Sequence, residues 1–186
     1  MKKPDKAAAA YVALLRGINV GGKNKLPMKD LVRLFEDAGC RGVRTYIQSG
    51  NVVFEASSAL AKGIAARISQ DIAARFGLQV PVVMRSATEL ASVVEANPYL
   101  REGADPRTLH VAFLATEPSL ASAASLDPKR SAPDEFVLRG RDLYLRCPNG
   151  MARTKLTNAY FDSKLSTTST MRNWNTVLEL LALCRT

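Results

Sequence analysis

The chain has 186 residues, 47% of them hydrophobic and 23% charged, with a net charge of +9. That hydrophobic share excludes a disordered chain, and 11 Gly and 9 Pro exclude collagen-like and low-complexity classes. The length suits one ordinary domain or two small halves sharing a core, and no apolar run reaches the roughly 18 residues that a membrane span needs.

Residues 1–10 read as a disordered tail. Asp5 before the apolar run and Arg16 after it argue against a secretion signal. Tyr11 to Arg16 (YVALLR) is a short apolar strand. A Gly/Asn/Lys loop follows to Leu26, and Pro27 suits a first helical turn. Met28, Leu31, Val32, Phe35 and Ala38 repeat at helical spacing until Gly39. Val43 to Gln48 and Asn51 to Ala56 form a hairpin around Ser49-Gly50. Leu60, Ile64, Ile68, Ile72 and Phe76 mark a long helix stopped by Gly77. Val80 to Arg85 is a strand that Pro81 places at an edge. Thr88 to Ala96 is a helix, and Asn97 to Arg107 is a connector.

The second half opens with the strand Thr108 to Ala115. A helix around Ser119 to Leu126, a hairpin of Glu135 to Arg139 with Asp142 to Cys147, and a helix from Arg153 to Leu165 follow. Met171 to Cys184 reads as a final helix burying Trp174, Val177, Leu178 and Leu181. YVALLRG parallels HVAFLAT. The expected fold is α+β: a ferredoxin-like βαββαβ half over 11–97, a connector over 98–107, and a related but irregular half over 108–186 with no obvious closing strand. One compact unit is expected.

Charge is concentrated at the ends. Residues 1–50 carry ten Lys/Arg against four Asp/Glu, and residues 136–186 carry eight against three. The middle, 51–135, holds eight against ten. Two basic segments fit an anionic partner if they meet. Cys40, Cys147 and Cys184 are odd in number and widely spaced, and His110 is the only histidine. Free thiols and a cytoplasmic location are expected, with no structural metal. No catalytic triad can be assembled, so a satisfied core His110 is the simpler reading.

Gly17 to Lys23 matches the Gly-x4-Gly-Lys spacing of a phosphate-binding loop. Asn24 stands where that loop needs Ser or Thr, so a nucleotide-hydrolysing site is disfavoured. A flexible loop with solvated lysines is the plain alternative, and an anion-binding nest of glycine N–H groups with Arg16, Lys23 and Lys25 is the third. Cations near a helix start cost roughly 0.3–1 kcal/mol each, and a bound anion reverses that sign. Lys23, Lys25 and Lys29 crowd one helix start, and Arg172 falls in the first turn of the expected last helix. Asn173 and Asn175 either cap that helix or bind. Lys155 and Asn158, with Arg153 nearby, put a cation and an amide beside another helix start. Ser49-Gly50-Asn51 makes a tight turn, and turn chemistry does not require Gln48.

Along YVALLRGINVGGKNKLPMKDL, RTYIQSGNVVF, KLTNAYFDSKL and TMRNWNTVLELL, the chain resembles the bacterial family called domain of unknown function 1697. The resemblance implies a bacterial cytosolic α+β protein of two related halves and no particular activity.

The leading expectation is a non-membrane binder of a phosphate-bearing ligand, a nucleotide or a nucleic-acid backbone. Its candidate residues are Arg16, Asn19, Gly21, Gly22, Lys23, Gln48, Asn51, Lys155, Arg172 and Asn173. The alternatives are an enzyme acting on a phosphorylated small molecule, with Lys23 and Arg172 stabilising developing charge, and an interaction module for an acidic partner. No cofactor or oligomeric state is indicated. In a simple ferredoxin-like half, the Gly17 to Lys25 loop and the Gln48 to Asn51 turn are expected at opposite ends, hence as separate sites.

Overall fold

A computed structural model describes residues 8–185. It divides into two units: the chain up to Leu90 together with the segment from Leu180, and Ala91–Glu179.

The first unit carries β1 (Ala9–Leu15), α1 (Met28–Asp37), β2 (Arg41–Tyr46), β3 (Asn51–Ala56), α2 (Ser58–Phe76) and β4 (Val82–Ser86). Helix α3 (Ala87–Glu95) follows β4 without an intervening residue. The sheet order is β2-β3-β1-β4, antiparallel throughout, so β4 is an edge strand as Pro81 predicts. Ala13, Leu15, Val52 and Phe54 pack with Leu31, Phe35 and the Ile64/Ile68/Ile72 stripe of α2. That stripe has the i, i+4 spacing that stacks side chains on one helix face. The other face of the sheet, with Val12, Leu14, Val53, Val83 and Arg85, is buried as well.

The second unit carries the short helix α4 (Pro98–Arg101), β5 (Leu109–Leu114), α5 (Leu120–Ala124), β6 (Glu135–Arg139), β7 (Asp142–Arg146), α6 (Asn158–Leu165) and β8 (Ser169–Asn173). Helix α7 (Trp174–Leu183) then starts directly after β8. The order β6-β7-β5-β8 repeats the first sheet strand for strand. Ala112, Leu114, Leu143 and Leu145 pack against Tyr160, Phe161 and Leu165 of α6.

Four expectations change. The second half is regular, and β8 is the closing strand that its sequence does not announce. Ser169 to Asn173 therefore pairs with β5 instead of starting a helix. Leu178 is 39% exposed, and Leu180 takes the buried place on α7. Ala9 and Ala10 already belong to β1, while the rest of the expected tail, residues 1–7, lies outside the described residues.

Cys40 and Cys147 are buried, Cys184 is half-buried, and all three are free. Burial pushes the Cys40 and Cys147 thiols up to about 11. No described helix is long and apolar enough to cross a membrane.

Candidate functional site

Antiparallel pairing sets the first site. Leu14 of β1 lies opposite Asn51 of β3, so the end of β1 meets the start of β3. The loop after β1 and the β2–β3 turn are therefore neighbours, which corrects the expectation of separate ends. Leu15 N–H donates to the Gly50 carbonyl at 2.8 Å. Gly50 has φ +78°, and a Cβ there would lie 2.8 Å from Leu15 Cβ and 3.0 Å from Ile18 Cγ1.

The Gly loop is a small hairpin. Lys23 N–H donates to the Val20 carbonyl (3.1 Å) across Gly21 and Gly22, whose φ values are +59° and +74°. Two successive positive φ values are what a type I′ turn requires. A Cβ at either glycine would meet nothing within 4 Å. The glycines thus serve the backbone conformation of this turn.

Asn19 closes the hairpin. Its Nδ2 donates to the Leu26 carbonyl (2.8 Å) and to the Gln48 carbonyl (3.0 Å), and its Oδ1 accepts from Leu26 N–H (2.8 Å). Its φ of +53° is one that asparagine tolerates better than most residues. Asn19 is accordingly a staple between the two loops. Asn51, fully buried, braces the turn: its Nδ2 donates to the Tyr46 carbonyl and the Ser49 hydroxyl, both at 3.2 Å.

A cleft of about 490 Å³ lies between these loops and α1. Asn19, Gly22, Lys25, Leu26, Pro27, Met28, Lys29 and Gln48 line it, with no carboxylate among them. Helix α1 begins there with Pro27 as its cap residue and no side-chain acceptor for its first N–H groups. The other α-helices are each capped by a side chain. Ser57, Asn97, Ser119 and Thr157 cap α2, α4, α5 and α6. Ser86 and Glu89 bond reciprocally at the start of α3, and Asn173 accepts from Thr176 N–H at α7.

Of the candidates, Asn19, Gly22 and Gln48 line this cleft. Gly21 and the exposed Lys23 sit on the hairpin beyond it, and Arg16 is half-buried where the loop leaves β1. Lys25 and Lys29, singled out for their charge at this helix start, line the cleft as well, whereas Leu26, Pro27 and Met28 were missed; a proline at the cap position flanked by lysines was the available signal.

Lys155, Arg172 and Asn173 belong to the second unit. Arg172 lies in β8, not in the first turn of the last helix, so it is not a cation misplaced within that helix. It pairs with Val111, on the sheet face opposite Ala112, Met171 and α6. Its NH1 donates to Thr170 Oγ1 and to the Met171 carbonyl, both at 2.8 Å. Burial lowers its pKa to about 10. Asn173 caps α7 (2.8 Å) and Trp174 is a core residue, 2% exposed. Lys155 is exposed beside Thr154 and Leu156, which border a second cavity of about 420 Å³. His110 also lines that cavity, and burial holds its imidazole below the ordinary value.

No curated protein matches the chain. Among solved structures, it is similar to one titled "The structure of conserved bacterial protein SP0830 from Streptococcus pneumoniae", with 22% identity and a TM-score of 0.71 over 97% of this chain and 100% of that one. That likeness concerns the fold alone. The family model described as "Protein of unknown function (DUF1697)" matches residues 9–144, and the chain belongs to that family.

Proposed function

We propose that the protein binds a phosphate-bearing ligand in the cleft at the start of α1. One observation carries this reading: α1 opens into a cleft rimmed by Lys25 and Lys29 with no side-chain cap, while every other described α-helix has one. The free N–H groups of Met28 and Lys29 and the helix dipole favour an anion there. Two lysines at that end are unfavourable alone and favourable around a phosphate. A volume of about 490 Å³ holds a mononucleotide-sized molecule.

The test is a melting curve with inorganic phosphate, pyrophosphate and adenosine monophosphate. Binding raises the melting temperature by mass action. Lys25→Glu and Lys29→Glu should each reduce the shift, and Lys62→Glu on α2 should not. If no phosphate compound moves the wild-type curve, the reading is wrong. A steep salt dependence with an oligonucleotide identifies a nucleic-acid backbone as the ligand.

A second reading, an interaction surface, draws on Val20 and Ile47, which are 59% and 53% exposed. Each adjoins the Asn19–Gln48 bond, so two aliphatic side chains crown the same pair of loops. A melting curve that no phosphate compound shifts would favour it.

A further inference from the structure

We propose that the second unit holds a separate site for an uncharged, planar, nitrogen-bearing heterocycle. The cavity of about 420 Å³ lies between the β8 edge, the start of α6 and the turn at Met151–Arg153. Its chemistry differs from that of the α1 cleft. No Asp, Glu or Lys lines it. Arg172 borders it too, but its guanidinium is bonded to Thr170 on the other face of the sheet. His110 is uncharged at neutral pH, because burial disfavours its cation. A charged ligand would therefore lose its hydration without gaining a counter-charge.

The polar groups form a defined set. His110 and Asn173 are directly paired across β5 and β8, and so share a sheet face with Met171. The Nδ1 atom of His110 is buried and has no hydrogen-bond partner. Buried polar atoms of this kind normally have one, and a turn of the imidazole would bring Nδ1 to the cavity that His110 lines. The Asn173 carboxamide spends its oxygen on the cap of α7 (2.8 Å), which leaves its NH2. The Asn158 oxygen shares the Ser169 hydroxyl proton (3.1 Å) with the Asp162 carboxylate (2.7 Å), which leaves its NH2 too. The cavity thus offers two amide donors and a neutral imidazole to a ligand edge bearing acceptors.

The apolar walls are Leu156, Met151 and Met171. Methionine adapts its shape and makes favourable sulfur contacts with flat rings. Amide donors aimed at acceptors, thioether walls and absence of charge together select a ring with carbonyl or ring-nitrogen acceptors. This inference does not rest on the phosphate reading, because it uses other residues.

His110 is the only histidine, so its imidazole C–H resonances report on this cavity alone. The experiment titrates adenine, uracil and nicotinamide into the full chain and follows those resonances. At least one should give a saturable shift. Asn158→Ala should weaken its Kd by about fivefold, as expected for one lost hydrogen bond. Met151→Ala, at a half-exposed wall, should also weaken it, and it is the second variant should Asn158→Ala melt early. Lys62→Glu should leave binding unchanged. No saturable shift with any of the three, or a shift that both cavity variants leave intact, overturns the proposal. So does a shift produced by inorganic phosphate and by none of the heterocycles, which would make the cavity an anion site. The phosphate reading is tested separately through Lys25 and Lys29.

Discussion

Arg85 and Arg172 occupy the same place in the two sheets. Arg85 pairs with Val12 of β1 and Arg172 with Val111 of β5, one residue before the end of β4 and of β8. Each donates NH1 to the carbonyl of the preceding methionine, Met84 or Met171, at 2.8 Å. The local sequences, VMRSATELASVV and TMRNWNTVLELL, are two versions of one strand-to-helix junction. Ser86 and Asn173 both cap the helix that follows. Arg172→Ala removes the donor for Thr170 and Met171 and opens a cavity. It should cost about 3 kcal/mol in urea denaturation, and Arg85→Ala a similar amount. Arg→Met at either position keeps the volume and sheds the buried charge, so it should cost less. Equal losses for Ala and Met would show that the charge itself is required.

Gly50 and Gly21 both have positive φ, for reasons that mutation separates. A side chain at Gly50 would collide with Leu15 and Ile18, and one at Gly21 would meet only open space. Gly21→Ala should cost only the left-handed backbone term, about 1 kcal/mol. Gly50→Ala adds steric overlap in a packed core and should cost about 3 kcal/mol. It should also loosen the loop pair and weaken ligand binding in the cleft, whereas Gly21→Asn should preserve both. Similar stabilities for the two alanine variants would contradict this packing account.

What the sequence made legible follows from periodicity. The stripe Ile64/Ile68/Ile72 and the run Tyr11 to Leu15 have one plausible burial pattern each, and the structure has it. Strand β8 was hidden because STMRN is short and polar and runs into a helix with no turn between. Ser, Thr and Asn favour helix caps, so local propensity pointed to a helix start there. The signal that finds β8 is its likeness to the β4–α3 junction, where VVMR reads plainly as a strand. The cleft was half legible. Glycines and lysines marked the hairpin, but the contact with Gln48 depends on β1–β3 register, which the loop sequence does not encode. Asn19 looked like a ligand group; it lines the cleft and is also a staple, a role visible only once Leu26 and Gln48 are placed beside it.

The first unit should not be complete without the end of the chain. Leu180 and Leu181 are 1% and 7% exposed, and the segment from Leu180 groups with the first unit. Arg44 NH2 donates to the Leu183 carbonyl at 2.7 Å. A chain ending at Glu179 should lose about 3–5 kcal/mol, the worth of two buried leucines. Residues 1–100 alone should not unfold cooperatively in urea. A soluble, cooperative fragment of that length would show that the segment from Leu180 contributes little.

Ile47 is the strained residue of the β2–β3 turn. Its φ is +49°, a region where a β-branched side chain is a true outlier. It is also 53% exposed, so packing within this chain recovers little of that cost. Asparagine adopts the same backbone more readily, and glycine does so freely. Ile47→Asn should therefore raise stability by about 1 kcal/mol, measured as a higher melting temperature. Strain kept at an exposed position beside a cleft is a mark of function. The informative comparison is between stability and binding in one variant. If Ile47 contacts a ligand or partner, Ile47→Asn should be more stable than wild type and bind more weakly. Phosphate titration reads the first case, since Gln48 next to it lines the cleft. A variant that melts higher and binds phosphate compounds as wild type does would place Ile47 outside the phosphate site and leave the exposed Val20–Ile47 pair to a protein partner. A variant that melts lower would mean that the isoleucine side chain stabilises the turn despite its backbone.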